Sequence, residues 1–273
     1  MGRLGERLAA LRERGEGALI PFVTAGDPDL ETTEALIPAL VDAGADAVEI
    51  GVPFSDPLGD GPTIQRASER ALRSGTSLRR VLELVKNLRP RVDVPLVLMG
   101  DANCLYTMGE ENFAIAAQSA GVDGIIVVDL PPEEGESLFA AVRGRDIDPV
   151  LLAAPTTTSE RLARLARETR GFLYCVALTG VTGARGTLDL GIEETVKRVR
   201  ASSDVPVCVG FGVSKPEHAA RIAEFADGVV VGSALIDRIA AAPSRTAAVD
   251  AAAEFVASLK APLRASGGAA AIR

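Results

Sequence analysis

Tryptophan is absent from this 273-residue chain, and aromatic residues reach only 4% of it. A core of this size must therefore be built from Val, Leu, Ile and Ala. Histidine occurs once, at His218, on a segment that reads as a surface helix. A Ser–His–Asp triad is not supported, and no metal-ligand cluster is present in the spacing of His, Cys, Asp and Glu. Cysteine is nearly as scarce: Cys104, Cys175 and Cys208 are odd in number and far apart, so neither a disulfide framework nor a zinc site is indicated. Cys175 and Cys208 sit in apolar runs and read as small buried hydrophobes. No apolar stretch approaches the roughly 18 residues of a membrane span. The first residues, MGRLGERLAALRERGEG, are charged and helical in pattern, with no apolar signal core, so a cytoplasmic enzyme is expected. Basic residues are also in deficit. The formal net charge of -8 argues against nucleic acid or an anionic membrane as partner. A small anionic substrate stays open, because backbone N–H groups at helix N-termini bind phosphate whatever the global charge.

What is present is a regular alternation. Eight short apolar runs read as strands: ALIPFVT (18–24), DAVEIG (46–51), VPLVLMG (94–100), GIIVVD (124–129), DPVLLAA (148–154), FLYCVA (172–177), VPVCVG (205–210) and GVVVGS (228–233). They are continuous rather than alternating, as in parallel strands buried on both faces. Helical patterns separate them; in ETTEALIPALVDAG the stripe is Ile37, Leu40 and Val41. A faint repeat marks three helix-to-strand junctions, DAGADAVEIG, SAGVDGIIVVD and EFADGVVVGS, each with an Asp before the strand. Eight β–α units in this length predict a single (β/α)8 TIM barrel over residues 1–273 with an extra N-terminal helix (4–14) and a C-terminal one (about 246–262). A doubly wound open sheet is the rival arrangement.

In such a barrel the chemistry gathers where strands end. Strand 2 carries Glu49 between Val48 and Ile50, and a carboxylate in an apolar strand is costly unless it is paired or functional. The alternative is a structural glutamate bonded to its neighbours. The loop that follows offers Asp56 and Asp60, for which turn chemistry is the competing reading. After strands 6, 7 and 8 stand Gly180, Gly183, Gly210, Gly212 and Gly232 with Ser233, in the loops where barrels commonly cradle phosphate. Plain loop punctuation would also account for any one of them. No Walker loop, nicotinamide fingerprint or strand-end lysine is evident. The residues themselves thus lead to a phosphorylated small molecule handled by acid–base carboxylates.

The segments PFVTAGDPD, EIGVPFSDPLGDGPTIQ, DLPPEE, GVTGARG and GFGVSKPEH, in this order, resemble the tryptophan synthase α-subunit family from about residue 4 to residue 260. The resemblance implies retro-aldol cleavage of indole-3-glycerol phosphate to indole and glyceraldehyde 3-phosphate, with no metal or organic cofactor in this subunit. It makes Glu49 the general acid/base that protonates indole C3, and Asp60 the acceptor of the indole N–H. Phe22 and Tyr174 would line the cavity, with barrel packing as their alternative role. Gly183, Gly212, Gly232 and Ser233, beside Phe211, would bind phosphate. Thr182 would meet Asp60 when its loop closes. The family's partner is a pyridoxal-phosphate β subunit in an α2β2 complex, facing Pro53, Asp56, Pro57 and Asn103. Three positions depart from the pattern: Asp101 stands where the family usually has an aromatic residue, Leu178 where some members have arginine, and Val128 where many have proline. The departures leave room for a standalone indole-releasing lyase, for a subunit that mainly activates its partner, or for another phosphate-binding barrel such as an isomerase. The pairing of Glu49 with Asp60 argues against the last.

Overall fold

The computed structural model describes residues 2–57, 59–176, 190–210 and 212–264. Among these, nine parallel strand segments form one sheet. They are β1 (Ala18–Thr24), β2 (Val48–Gly51), β3 (Leu96–Gly100), β4 (Gly124–Val127), β5 (Asp148–Pro149), β6 (Leu151–Ala153), β7 (Leu173–Val176), β8 (Val207–Gly210) and β9 (Gly228–Val231). The order runs β5-β4-β3-β2-β1-β9-β8-β7-β6, and β1 pairs with both β2 and β9. The two ends of that order, β5 and β6, are separated only by Val150, so the chain itself closes the barrel.

The eight expected strands are thus eight staves, the fifth of them split. Proline explains the split. Asp148 and Val150 donate their N–H groups to Asp123 and Ile125 on the β4 side. The next donor in line on the β7 side would be residue 149, and Pro149 has none. Leu151 N–H finds the Thr169 hydroxyl instead, at 3.0 Å, and pairing with β7 begins there.

The helices are α1 (Arg3–Glu13), α2 (Leu30–Asp42), α3 (Pro62–Arg73), α4 (Leu78–Leu88), α5 (Ala102–Tyr106), α6 (Glu110–Ala120), α7 (Glu136–Arg143), α8 (Ser159–Glu168), α9 (Leu190–Arg200), α10 (Pro216–Ala223), α11 (Ser233–Ala241) and α12 (Arg245–Lys260). Side-chain caps fix several starts: Asp29 accepts the Thr32 N–H at 2.7 Å, and Thr158 and Ser244 act alike for α8 and α12. The sequence pattern misses α3 and α5. The buried stripe of α3 is Ile64, Ala67, Ser68 and Ala71, at regular helical spacing, but Ile64 is its one large apolar residue and the segment follows directly on a Pro/Gly-rich loop. Its start is set by Pro62 in the first turn. None of the helices among the described residues is long and apolar enough to cross a membrane.

The core has two compartments. Between sheet and helices lies a layer that includes Leu19, Val48, Ile50, Leu98, Val209 and Val229. Inside the barrel lie Ile20, Val97, Ile126, Tyr174, Cys208 and Val230, and Leu4, Leu8 and Leu11 of α1 plug its N-terminal end. Alternate residues on each strand face these two compartments. Cys175 and Cys208 are fully buried, one in each.

The faint repeat has a physical basis. Asp46, Asp123 and Asp227 each accept, at 2.9 Å, a backbone N–H from or beside the neighbouring strand: Leu19, Leu96 and Val207. Each carboxylate therefore locks one strand to the next at the N-terminal end of the sheet. All three also form ion pairs: Asp46 with Arg7 of α1 and the buried Lys260 of α12, Asp123 with Arg3 and Arg89, and Asp227 with Arg200.

Candidate active site

With α1 plugging one end, the inward-facing residues of the strands lead to a cavity at their C-terminal ends. Its volume is 390 Å³, within the roughly 300–1,000 Å³ typical of small-molecule sites. Its walls follow from the period of two. On β1, Ile20 faces inward and so does Phe22; Ala47, just before β2, is followed by Glu49 on it; on β3, Val97 by Met99; and Phe172, just before β7, by Tyr174 on it. Phe22 and Glu49 are register partners on adjacent strands. Glycines make room for the rings. A side chain on Gly51 would run into the Phe22 ring, and one on Gly210 into the Tyr174 hydroxyl.

Glu49 has no accessible surface, and neither carboxyl oxygen has a hydrogen-bond partner among the described residues. Burial pushes its pKa up to about 8. It is therefore a neutral acid at pH 7, with a proton to give. Asp60 is half-buried in the loop before α3, where its carbonyl accepts from Gln65 at 2.9 Å. Burial and the nearby charge of Asp101 raise it to about 6, so it is mostly ionised at pH 7. Two carboxyl groups in one cavity thus hold opposite protonation states, as general acid–base work requires.

The opposite wall offers backbone donors. Gly212 lies in the left-handed region at φ 49, with open space where a side chain would stand. Gly232 caps α11, and Ser233 and Ala234 begin it. Their N–H groups precede any carbonyl of the helix that could accept them, so they are available to an anion.

Seven of the residues singled out from the sequence are therefore brought together: Phe22, Glu49, Asp60, Tyr174, Gly212, Gly232 and Ser233 all line the cavity. Gly210 joins them. Thr182, Gly183, Gly180, Leu178 and Phe211 lie outside the described residues. Asp56 and Asn103 are exposed, Pro57 is half-buried and Pro53 is buried. These four stand apart from the cavity lining, on the β2–α3 loop and on α5. Asp101 continues the inward row of β3 beyond Met99 and is only 9% exposed. His218 is half-buried rather than a surface residue: its Nδ1 accepts the Ser214 N–H at 3.4 Å, because α10 turns that face toward the loop at the cavity.

Several wall residues escape the sequence reading. Met99 and Val230 are ordinary strand residues until the barrel's inside is known. Ile64 belongs to the unrecognised α3. Asp237, at the rim and hydrogen-bonded by the Thr63 hydroxyl at 3.2 Å, sits on α11, where only helix period could have placed it.

The tryptophan synthase alpha chain profile matches residues 8–264. A tryptophan synthase alpha chain from Geobacter sp. (strain M21) is 53% identical over 236 residues, covering 86% of this chain and 88% of that one. The alpha chain of Thioalkalivibrio sulfidiphilus (strain HL-EbGR7) is 52% identical over 242 residues, covering 88% and 91%. Among solved structures, the alpha subunit of Legionella pneumophila str. Paris superposes with a TM-score of 0.89 at 38% identity, covering 96% of this chain and 98% of that one. Tryptophan synthase of Mycobacterium tuberculosis matches with a TM-score of 0.89 at 39% identity and the same coverage. Profile, relatives and barrel agree: the chain belongs to the tryptophan synthase alpha chain family.

Proposed function

We propose that this chain cleaves indole-3-glycerol phosphate to indole and glyceraldehyde 3-phosphate, with Glu49 and Asp60 as its catalytic groups. The observation that carries this reading is the fully buried, unpartnered and neutral Glu49 opposite an ionised Asp60 in one cavity. Glu49 gives its proton to C3 of the indole ring. Positive charge then develops at the ring nitrogen, and Asp60 accepts that N–H and stabilises it. The Glu49 carboxylate, left in apolar surroundings, is a strong base. It takes the proton of the side-chain hydroxyl as the carbon–carbon bond breaks, which forms the aldehyde and restores the acid. Phe22 and Tyr174 hold the ring, and backbone N–H groups around Gly212, Gly232 and Ser233 hold the phosphate, with Gly183 and Phe211 completing that set. No metal or organic cofactor enters these steps.

The partner in this reading is the pyridoxal-phosphate β subunit of tryptophan synthase, in an α2β2 complex in the cytoplasm. Exposed Asp56 and Asn103 are placed to meet it, and Pro57 flanks them. Buried Pro53 serves by holding the loop rather than by touching the partner. The test is an indole-release assay on the purified chain, alone and with a β subunit, for the wild type and Glu49→Gln. Slow release that the β subunit accelerates, abolished in the variant, is the expected result. Near wild-type turnover by Glu49→Gln would overturn the acid–base role. Fast release unaffected by the β subunit would overturn the partnership.

A further inference from the structure

Beside the main cavity lies a second, much smaller one of 20 Å³, which shares Phe22, Asp60, Ile64 and Met99 with it. Strand register explains why it exists. One step beyond Phe22 on β1, the next inward residue is Thr24; its partner on β2 is Gly51, where the Phe22 ring takes the place of a side chain, and the small space lies beside that ring. Beyond Met99 on β3, the next inward residue is Asp101. Asp60 reaches in from its loop and Ser68 from α3. Thr24 is 2% exposed, and its Oγ1 has no hydrogen-bond partner in the protein. A buried hydroxyl in that condition costs on the order of 1–3 kcal/mol.

The space has the size of one water molecule, which needs about 10–15 Å³ and two to four polar partners. The surrounding chemistry matches a water in both directions. Two carboxylates, Asp60 and Asp101, can accept its two protons, and the Thr24 hydroxyl can donate to its oxygen. The Thr24 hydroxyl then has a partner, and the water stands between two acidic side chains. We infer that Asp101 and Thr24 are positioning residues for Asp60, acting through one water held in this side cavity that orients the Asp60 carboxylate toward the substrate ring. The inference rests on the reading of Asp60 as the ring N–H acceptor.

The two residues act on Asp60 in opposite electrostatic senses. The Asp101 charge raises the pH at which Asp60 ionises, whereas a water donated to Asp60 lowers it. Burial and the charge of Asp129 raise Asp101 in turn, and the backbone N–H of Ala102 already occupies Asp129. The acid limb of the kcat profile for indole release reads these effects. Asp101→Asn, with the charge gone, should move that limb to lower pH by about one unit. Thr24→Val, with its shape kept, should lower kcat about tenfold and move the limb upward, with KM within twofold. Asp101→Asn should also lower kcat severalfold on the plateau, and in the double variant the two losses should be less than multiplicative, because both act through one water.

The direct readout is a crystal structure at high resolution of the wild type and Thr24→Val. An ordered water within hydrogen-bond distance of Thr24 Oγ1 and both carboxylates, lost in the variant, is expected. A wild-type cavity without that water, or fully multiplicative effects on kcat with an unmoved limb, would overturn the inference. Full activity in Asp60→Asn with the water in place would instead overturn the role given to Asp60.

Discussion

Glu49 should make the fold less stable in proportion to pH, and removing its charge should reverse this. In the unfolded chain it titrates near its ordinary 4.5; in the folded barrel burial pushes it to about 8. Below the lower value both states carry the proton and no penalty exists. Between the two, the unfolded chain releases the proton and the folded protein keeps it. Stability then falls by about 1.4 kcal/mol per pH unit. By pH 7 the penalty is about 3 kcal/mol, and it levels off above the folded value. Glutamine has nearly the same shape and never ionises. Urea unfolding of wild type and Glu49→Gln should therefore give similar stabilities near pH 5, apart from a constant offset. The variant should then gain about 2–3 kcal/mol on wild type by pH 7. Loss of activity would accompany the gain in stability. Parallel stability curves across this range would refute the claim that Glu49 is neutral in the folded protein.

The pH–rate profile for indole release should be a bell, rising as Asp60 ionises near about 6 and falling as Glu49 loses its proton near about 8. A rate still climbing through that upper limit would remove Glu49 as the acid. Gly212→Val should raise KM for the phosphorylated substrate about tenfold with little change in kcat, because a β-branched residue at φ 49 costs roughly 1–3 kcal/mol and shifts the amide; unchanged KM would dissociate Gly212 from phosphate binding. Asp27→Ala should cost about 2 kcal/mol in urea unfolding: its buried carboxylate takes two hydrogen bonds from Arg70, at 2.6 and 2.8 Å, and ties the β1 loop to α3. A loss no larger than that of a surface substitution would show that the tie is idle.

The barrel was legible because parallel strands buried on both faces read as unbroken apolar runs, and eight such runs leave few alternatives. Glu49 stood out for the same reason, as the one acid inside a run. What escaped was set by neighbours distant in sequence. Whether Asp101 faces the ring depends on β3 continuing its alternation two residues past Met99, one beyond the end of the strand, into a segment that reads as loop. The α3 helix was hidden although its inward residues keep helical spacing, because it follows directly on a Pro/Gly-rich turn sequence and Ile64 is its one large apolar inward residue. His218 looked like a surface residue because nothing in a helical period says that a ring nitrogen will meet a loop amide four residues back. The split fifth stave was visible in principle, since Pro149 lacks the donor that one side of the ladder needs.

The three aspartates at the strand starts have a consequence for how such a barrel is put together. Asp46, Asp123 and Asp227 each fix the register of one neighbouring pair with a local bond. Alignment is thus written separately into separate portions of the chain and is not left to closure of the whole ring. Each portion carries its own key at the end remote from the chemistry. A chain opened at an exposed loop and rejoined elsewhere would keep all three keys. The rim, which holds the carboxyl pair and the glycine loops, can then change side chains without disturbing the alignment beneath it.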